Sequence, residues 1–151
     1  MTALKKLENI AFEAKRLKYK DQPHLIRKKY SDKTANELTK SIIAYIQLMG
    51  GQAERISTTG RVIDNRKNYT DVVGFKRTIG TTKWIPGTTT KGSADISATI
   101  QGRSVKIEVK IGKDKQSDAQ LKYQAEIEKS GGIYYVARNF EDFFKWYNET
   151  F

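Results

Sequence analysis

The chain has 151 residues, 38% hydrophobic and 30% charged, enough for one ordinary domain with a real core. With no cysteine there can be no disulfide, thiolate metal site or cysteine nucleophile, and the single histidine argues against a catalytic triad or a multi-histidine zinc centre. Lys and Arg total 28 against 17 Asp and Glu, a net charge of +11 at pH 7, which favours a polyanionic partner, nucleic acid ahead of an anionic membrane.

The charge is uneven. Met1 to Ser31 holds nine bases and three acids, and Arg61 to Lys91 holds seven bases and two acids. No run approaches the ~18 apolar residues of a membrane span, and the basic start lacks the apolar stretch of a signal peptide. A cytoplasmic location without membrane contact is expected.

In chain order, Leu4 to Tyr19 spaces Leu4, Leu7, Ala11, Ala14 and Leu17 three and four apart, predicting an amphipathic basic helix ended by Gln22-Pro23. Thr34-Ala35-Asn36-Glu37 fits a capping box. It opens a second helix with Leu38, Ile42, Tyr45, Ile46 and Met49 on one stripe, stopped by Gly50-Gly51. Between Ala53 and Gly92 the pattern is weak. Glu54 to Ser57 and Asp71 to Ile79 are the strand candidates, and Thr58-Thr59-Gly60 and Trp84 to Thr90 read as loops.

Ala94 to Ile111 alternates apolar and polar residues around Gln101-Gly102, predicting a hairpin. Ser117-x-x-Gln120 is a second capping box, opening a helix closed by Gly131-Gly132. Ile133 to Ala137 is a short apolar strand, and Asn139 caps a last helix bearing Phe140, Phe143, Phe144 and Tyr147. With Trp146 these aromatics exceed what one short helix needs, so most of the group is expected in the core and the remainder on a dimer surface. His24, beside Pro23, reads as a surface residue.

The hairpin register carries chemistry. With Gln101-Gly102 as a two-residue turn, paired numbers add to 203, so Ile96 faces Ile107, Ala98 faces Val105 and Ala94 faces Val109. On the polar face, Asp95 then meets Glu108. Two carboxylates at about 5 Å and an effective dielectric near 20 repel by roughly 3 kcal/mol before screening. A shared proton, the nearby Lys110 or a bridging Mg²⁺ or Mn²⁺ relieves this; a splayed, solvated pair with a weak surface ion pair is the plain alternative.

Asp95, a gap of twelve residues and then Glu108-Val109-Lys110 resembles the PD-(D/E)xK nuclease signature. More specifically, Lys91-Gly92-Ser93-Ala94-Asp95-Ile96, Ile107 to Lys110, Ser117-Asp118-Ala119-Gln120 and Gly131 to Arg138 resemble the VRR-NUC family within it. The likeness covers Lys91 to Phe143, with a weaker extension through Thr59-Gly60 back to the helix of Glu37. Ala94 stands where the signature has Pro, a position that varies in the superfamily. The resemblance implies an α/β restriction-endonuclease-like core, a mixed four-stranded sheet flanked by helices, over residues 32–151, with residues 1–31 as a basic helical extension.

It also implies metal-dependent phosphodiester hydrolysis in DNA, on a four-way (Holliday) junction or other branched form. Mg²⁺ or Mn²⁺ would be held by Asp95, Glu108 and the carbonyl of Val109, and Lys110 would position the attacking water or neutralise developing charge. Gln120 matches the glutamine that follows E-x-K in the family, and Glu37 resembles a first-helix carboxylate that binds metal in some relatives; each also fits its capping box. Stand-alone chains of this kind occur in phage and prophage genomes, so a bacterial or phage-infected cell is the implied setting.

For nucleic-acid contact the candidates are Gly60, Arg61, Arg66, Lys67, Lys76, Arg77, Lys83, Trp84, Lys91, Ser93, Lys113 and Lys115, cations with an aromatic able to stack on a base. A homodimer would suit a symmetric branched substrate, and no small-molecule cofactor is expected. The competing reading is a basic nucleic-acid-binding module on a nuclease-like fold that does not cleave.

Overall fold

The computed structural model describes every residue except Thr58, Thr59 and Thr88, so the loop readings over those three lie outside the described residues. The chain divides into two compact units, 1–56 with 91–151, and 57–90.

In the first unit, α1 (Ala3–Lys18) and α2 (Ala35–Leu48) precede strand β1 (Gln52–Arg55). α2 opens on the expected capping box, Thr34 with Glu37, and buries Leu38, Ile42, Tyr45 and Ile46 on one stripe. Next in this unit are β6 (Ile96–Ile100) and β7 (Arg103–Val109), then α3 (Asp118–Lys129), β8 (Ile133–Ala137) and α4 (Phe140–Thr150).

The hairpin register is as the sequence predicts. Ile96 pairs with Ile107 and Ala98 with Val105, around a turn in which both Gln101 (φ 48°) and Gly102 (φ 77°) are left-handed. That backbone twist matches the twist of the flanking strands. β1 joins the other edge of β6 antiparallel, and β8 lies parallel to β7, giving a mixed four-stranded sheet in the order β1-β6-β7-β8. A parallel neighbour requires a crossover, which α3 supplies.

The two sheet faces differ in chemistry. Ile96, Ala98, Ile100, Val105, Ile107 and Val109 pack with α1, α2 and α4 into the core. The opposite face carries Ser97, Lys106, Glu108 and Tyr134, and α3 covers it through Gln120 on Glu108 and Tyr123 against Tyr134. The alternation read from the sequence therefore sorts one face to the core and the other to the site.

The aromatics of α4 are used inside the chain. Phe140, Phe143, Phe144 and Tyr147 surround Tyr45, and Trp146 stacks on Tyr135 at 4.2 Å. The aromatic surplus therefore gives no ground for a dimer face. The charge-based boundary at residue 31 also has no counterpart in the fold, because Ala3 and Leu7 of α1 are buried in the common core.

The second unit departs most from expectation. It contains β2 (Arg61–Asp64), β3 (Lys67–Thr70), β4 (Lys76–Ile79) and β5 (Thr82–Ile85), with β2 paired to β5 and β3 to β4. Asp71 to Phe75, expected within a strand, is a turn, and Trp84-Ile85, expected in a loop, is strand. These strands are only four residues long with almost no burial, so they lack the apolar alternation that marks half-buried strands.

Candidate active site

β7 ends in Glu108-Val109, with Lys110 next, on the sheet face covered by α3. Asp95 stands one residue before β6. Its main-chain carbonyl accepts the Ile56 N–H at 2.8 Å and its side-chain Oδ2 accepts the Val109 N–H at 2.9 Å. The hairpin thus ends in a side-chain bond that holds the Asp95 carboxylate at the tip of β7.

Gly92 sets the approach of this segment. Its φ is +82°, and a methyl group there would come within 2.3 Å of the Ala119 carbonyl oxygen in the first turn of α3. Only glycine lets the chain before Asp95 pass this close to the turn that carries Gln120.

Glu108, Lys110 and Gln120 form one bonded cluster. Lys110 Nζ lies 3.1 Å from Glu108 Oε1, 3.2 Å from Gln120 Oε1 and 3.5 Å from Asp114 Oδ2. The Gln120 amide nitrogen donates to Glu108 Oε1 at 2.5 Å. The cap expected for Gln120 is present, its carbonyl oxygen accepting the Ser117 N–H at 2.9 Å, and its nitrogen reaches the Glu108 carboxylate, a contact the sequence reading did not anticipate. The capping box fixes the rotamer, and the rotamer delivers the amide to the carboxylate.

Glu108 is 2% exposed, and its second oxygen, Oε2, is buried without a hydrogen-bond partner. The Tyr134 hydroxyl is the other buried side-chain polar atom without a partner among the described residues. Burial first, then the Asp95 charge, push the Glu108 carboxyl above its ordinary value, against the pull of Lys110. The Asp95 charge thus acts on Glu108, although the ladder itself starts at Ile96 with Ile107 and does not include Asp95. Burial depresses the Lys110 ammonium, but Glu108 and Asp114 more than reverse it, so it stays charged. Burial and the Glu108 charge also hold the Tyr134 phenol well above its usual range.

A lone buried acceptor is costly to leave unmatched. Two carboxylates and the Val109 carbonyl at a strand end are hard oxygen donors of the kind that bind Mg²⁺ or Mn²⁺, and Mg²⁺ is commonly held by one or two carboxylates with water and phosphate completing its shell. No three Asp, Glu, His or Cys side chains that could hold a metal ion cluster among the described residues. The residues present fit a divalent cation.

Glu37 is not brought into this group. Its Oε2 accepts from Ser31 Oγ at 3.1 Å and from the Thr34 N–H at 3.2 Å, and it is not among the charges acting on Glu108. Lys113 and Lys115 are exposed in the loop after β7, where Arg138 reaches the Gly112 and Asp114 carbonyls. Lys91 is exposed and Ser93 half-buried. Arg61, Arg66, Lys67, Lys76, Arg77, Lys83 and Trp84 are exposed in the second unit, and Gly60 is half-buried there against the Trp84 ring. Sequence reading missed Tyr134 and Asp114. The first sat in a strand read as apolar, and the second lies in a loop whose path no periodicity reveals.

In metal-free buffer at neutral pH, a Glu108→Gln variant is expected to melt above the wild type. The raised carboxyl pKa means the folded state holds the proton more tightly than the unfolded one. The contribution of Glu108 to stability is then full below its ordinary value of 4.5 and is lost as pH rises through the raised value. Glutamine mimics the protonated form and lacks that decline. Melting curves across pH check this, and a gap that stays constant from acid to neutral pH contradicts it.

No protein-family model matches the chain, and no curated protein matches it.

Proposed function

We propose that this chain is a divalent-metal-dependent DNA endonuclease acting on branched DNA, with Asp95, Glu108, Lys110 and Gln120 as its reacting cluster. The observation that carries the reading is the buried Glu108 beside Asp95, one oxygen clamped by Lys110 and Gln120 and the other without a partner. The resemblance of these residues to the PD-(D/E)xK signature, and to VRR-NUC chains in particular, supports the same chemistry. The charge of +11 supports a polyanionic substrate.

Asp95, Glu108 and the Val109 carbonyl would hold Mg²⁺ or Mn²⁺. The cation, when bound, acidifies a water and stabilises charge developing on the phosphoryl oxygens. Lys110, kept charged by Glu108 and Asp114, orients the attacking water or meets the developing negative charge. Gln120 fixes the rotamers of Glu108 and Lys110 and offers its amide to water or phosphate. Glu37 is left out of the ligand set because its carboxylate closes the α2 cap. A homodimer would present two such clusters to a symmetric junction, and light scattering tests that.

The test is cleavage of labelled linear duplex, single strand, flap and four-way junction in EDTA, Mg²⁺ and Mn²⁺. Metal-dependent cutting of the branched substrates is expected. Tight, salt-sensitive binding with no product in either metal would instead support a non-cleaving nucleic-acid-binding module.

A further inference from the structure

We propose that residues 60–86 form a nucleic-acid-binding arm whose apolar tip, Val72, Val73 and Phe75, wedges between bases. This rests on the nucleic-acid part of the function above and not on cleavage.

The first observation is a continuous register. Paired residue numbers add to 146 in both ladders, Arg61 with Ile85 and Lys67 with Ile79, and the Asn65 N–H donates to the Thr81 carbonyl at 3.2 Å in the same register. The four short strands are therefore one antiparallel ribbon. At ~3.3 Å per residue its ten-residue arms reach about 30 Å.

The second is the tip. Asp71 Oδ1 accepts the Val73 and Phe75 N–H groups at 3.0 and 2.9 Å, its N–H donates to the Phe75 carbonyl at 2.9 Å, and Arg77 Nε donates to Oδ2 at 2.6 Å. This bracing presents three apolar side chains to solvent, with Val72 fully exposed, Val73 74% and Phe75 64% exposed. Apolar groups fixed outward on a braced turn are the form of an inserting wedge, which kinks a duplex by partly unstacking a base step.

The third is charge. Within 57–90 there are six bases and two acids, and each acid is held by an arginine, Asp64 by Arg66 and Asp71 by Arg77. Arg61, Lys67, Lys76 and Lys83 remain as net positive charge, distributed from foot to tip. An anionic membrane attracts cations only within a Debye length, roughly 8–10 Å, of its surface, so a membrane-inserting tip gains little from cations farther down the ribbon. Cations repeated along about 30 Å follow a phosphate backbone instead. Tyr69, which shares a ribbon face with Arg77, adds a stacking surface.

The test uses the full chain in EDTA, where binding is read without cutting, on a four-way junction and a linear duplex carrying 2-aminopurine beside the branch or at mid-sequence. The variant Val72→Ser/Val73→Ser/Phe75→Ser removes no charge. Wild type is expected to raise 2-aminopurine fluorescence on binding. The variant is expected to bind about tenfold or more weakly with an unchanged salt slope and no fluorescence rise. Phe75→Trp should keep both signals, separating loss of the wedge from loss of fold.

A triple variant that binds and unstacks like wild type overturns the wedge. So does a tip needed only for co-sedimentation with phosphatidylserine vesicles. A chain that unstacks DNA yet never cuts it in Mg²⁺ or Mn²⁺ overturns the nuclease reading and leaves this inference standing.

Discussion

Asp95→Asn is expected to lower metal-dependent cleavage by about 10³-fold or more while leaving DNA binding in EDTA intact or tighter. A divalent ion contributes several kcal/mol of charge stabilisation to phosphoryl chemistry, and each ~1.4 kcal/mol is tenfold in rate. Asparagine is a sharper test than alanine. The Asp95 side chain accepts the Val109 N–H at 2.9 Å, and the amide oxygen of asparagine can keep that bond while the charge is lost. The end of the hairpin is thereby preserved, so lost activity reports lost charge.

Two further readouts separate a ligand from a merely structural acid. Asp95 is one of the charges that raise the Glu108 carboxyl, so its removal should bring the Glu108 pKa down and raise the melting temperature of metal-free protein at neutral pH. Saturating Mg²⁺ should stabilise wild type, by about 2.7 kcal/mol at a hundredfold excess over Kd, and leave Asp95→Asn unmoved. Cleavage that survives the substitution would remove Asp95 from the site. A melting temperature insensitive to Mg²⁺ in wild type would remove the metal.

The elements that position the site were legible because they obey strong local rules. The hairpin followed from a period-2 alternation with a glycine-containing turn, and a one-residue slip would have put polar residues in the core. Both capping boxes formed at their expected positions. The fine structure of the site was not legible. Spacing put Gln120 in a cap and the family resemblance gave it a water or phosphate contact; its amide bond to Glu108 follows from neither and is visible only in the rotamer. The ribbon escaped because its stability does not come from a buried face, so no hydrophobic period marks it. Charge located the region while leaving its architecture open, since a solvated loop and an exposed ribbon have the same composition.

Charge was also a poor guide to where the fold begins, and Leu7→Ala tests the correction. Leu7 is fully buried in α1, and the substitution is expected to cost about 2–5 kcal/mol, a large share of the ~5–15 kcal/mol that holds a domain together. α1 is tied to α4 at its start, where the Ala3 N–H donates to Glu141 Oε2 at 2.9 Å and the Lys6 ammonium sits 5.0 Å from the Phe144 ring centre. Leu17→Ala, on the same helix but 71% exposed, should change stability by no more than about 0.5 kcal/mol. Urea denaturation with an unchanged m-value reads both variants. If Leu7→Ala is as mild as Leu17→Ala, α1 is an appended arm, as its charge alone suggests. If it is severe, the basic residues of α1 are displayed by a core helix. Any phosphate contact they make is then preorganised by the fold, without the entropy of ordering a free tail.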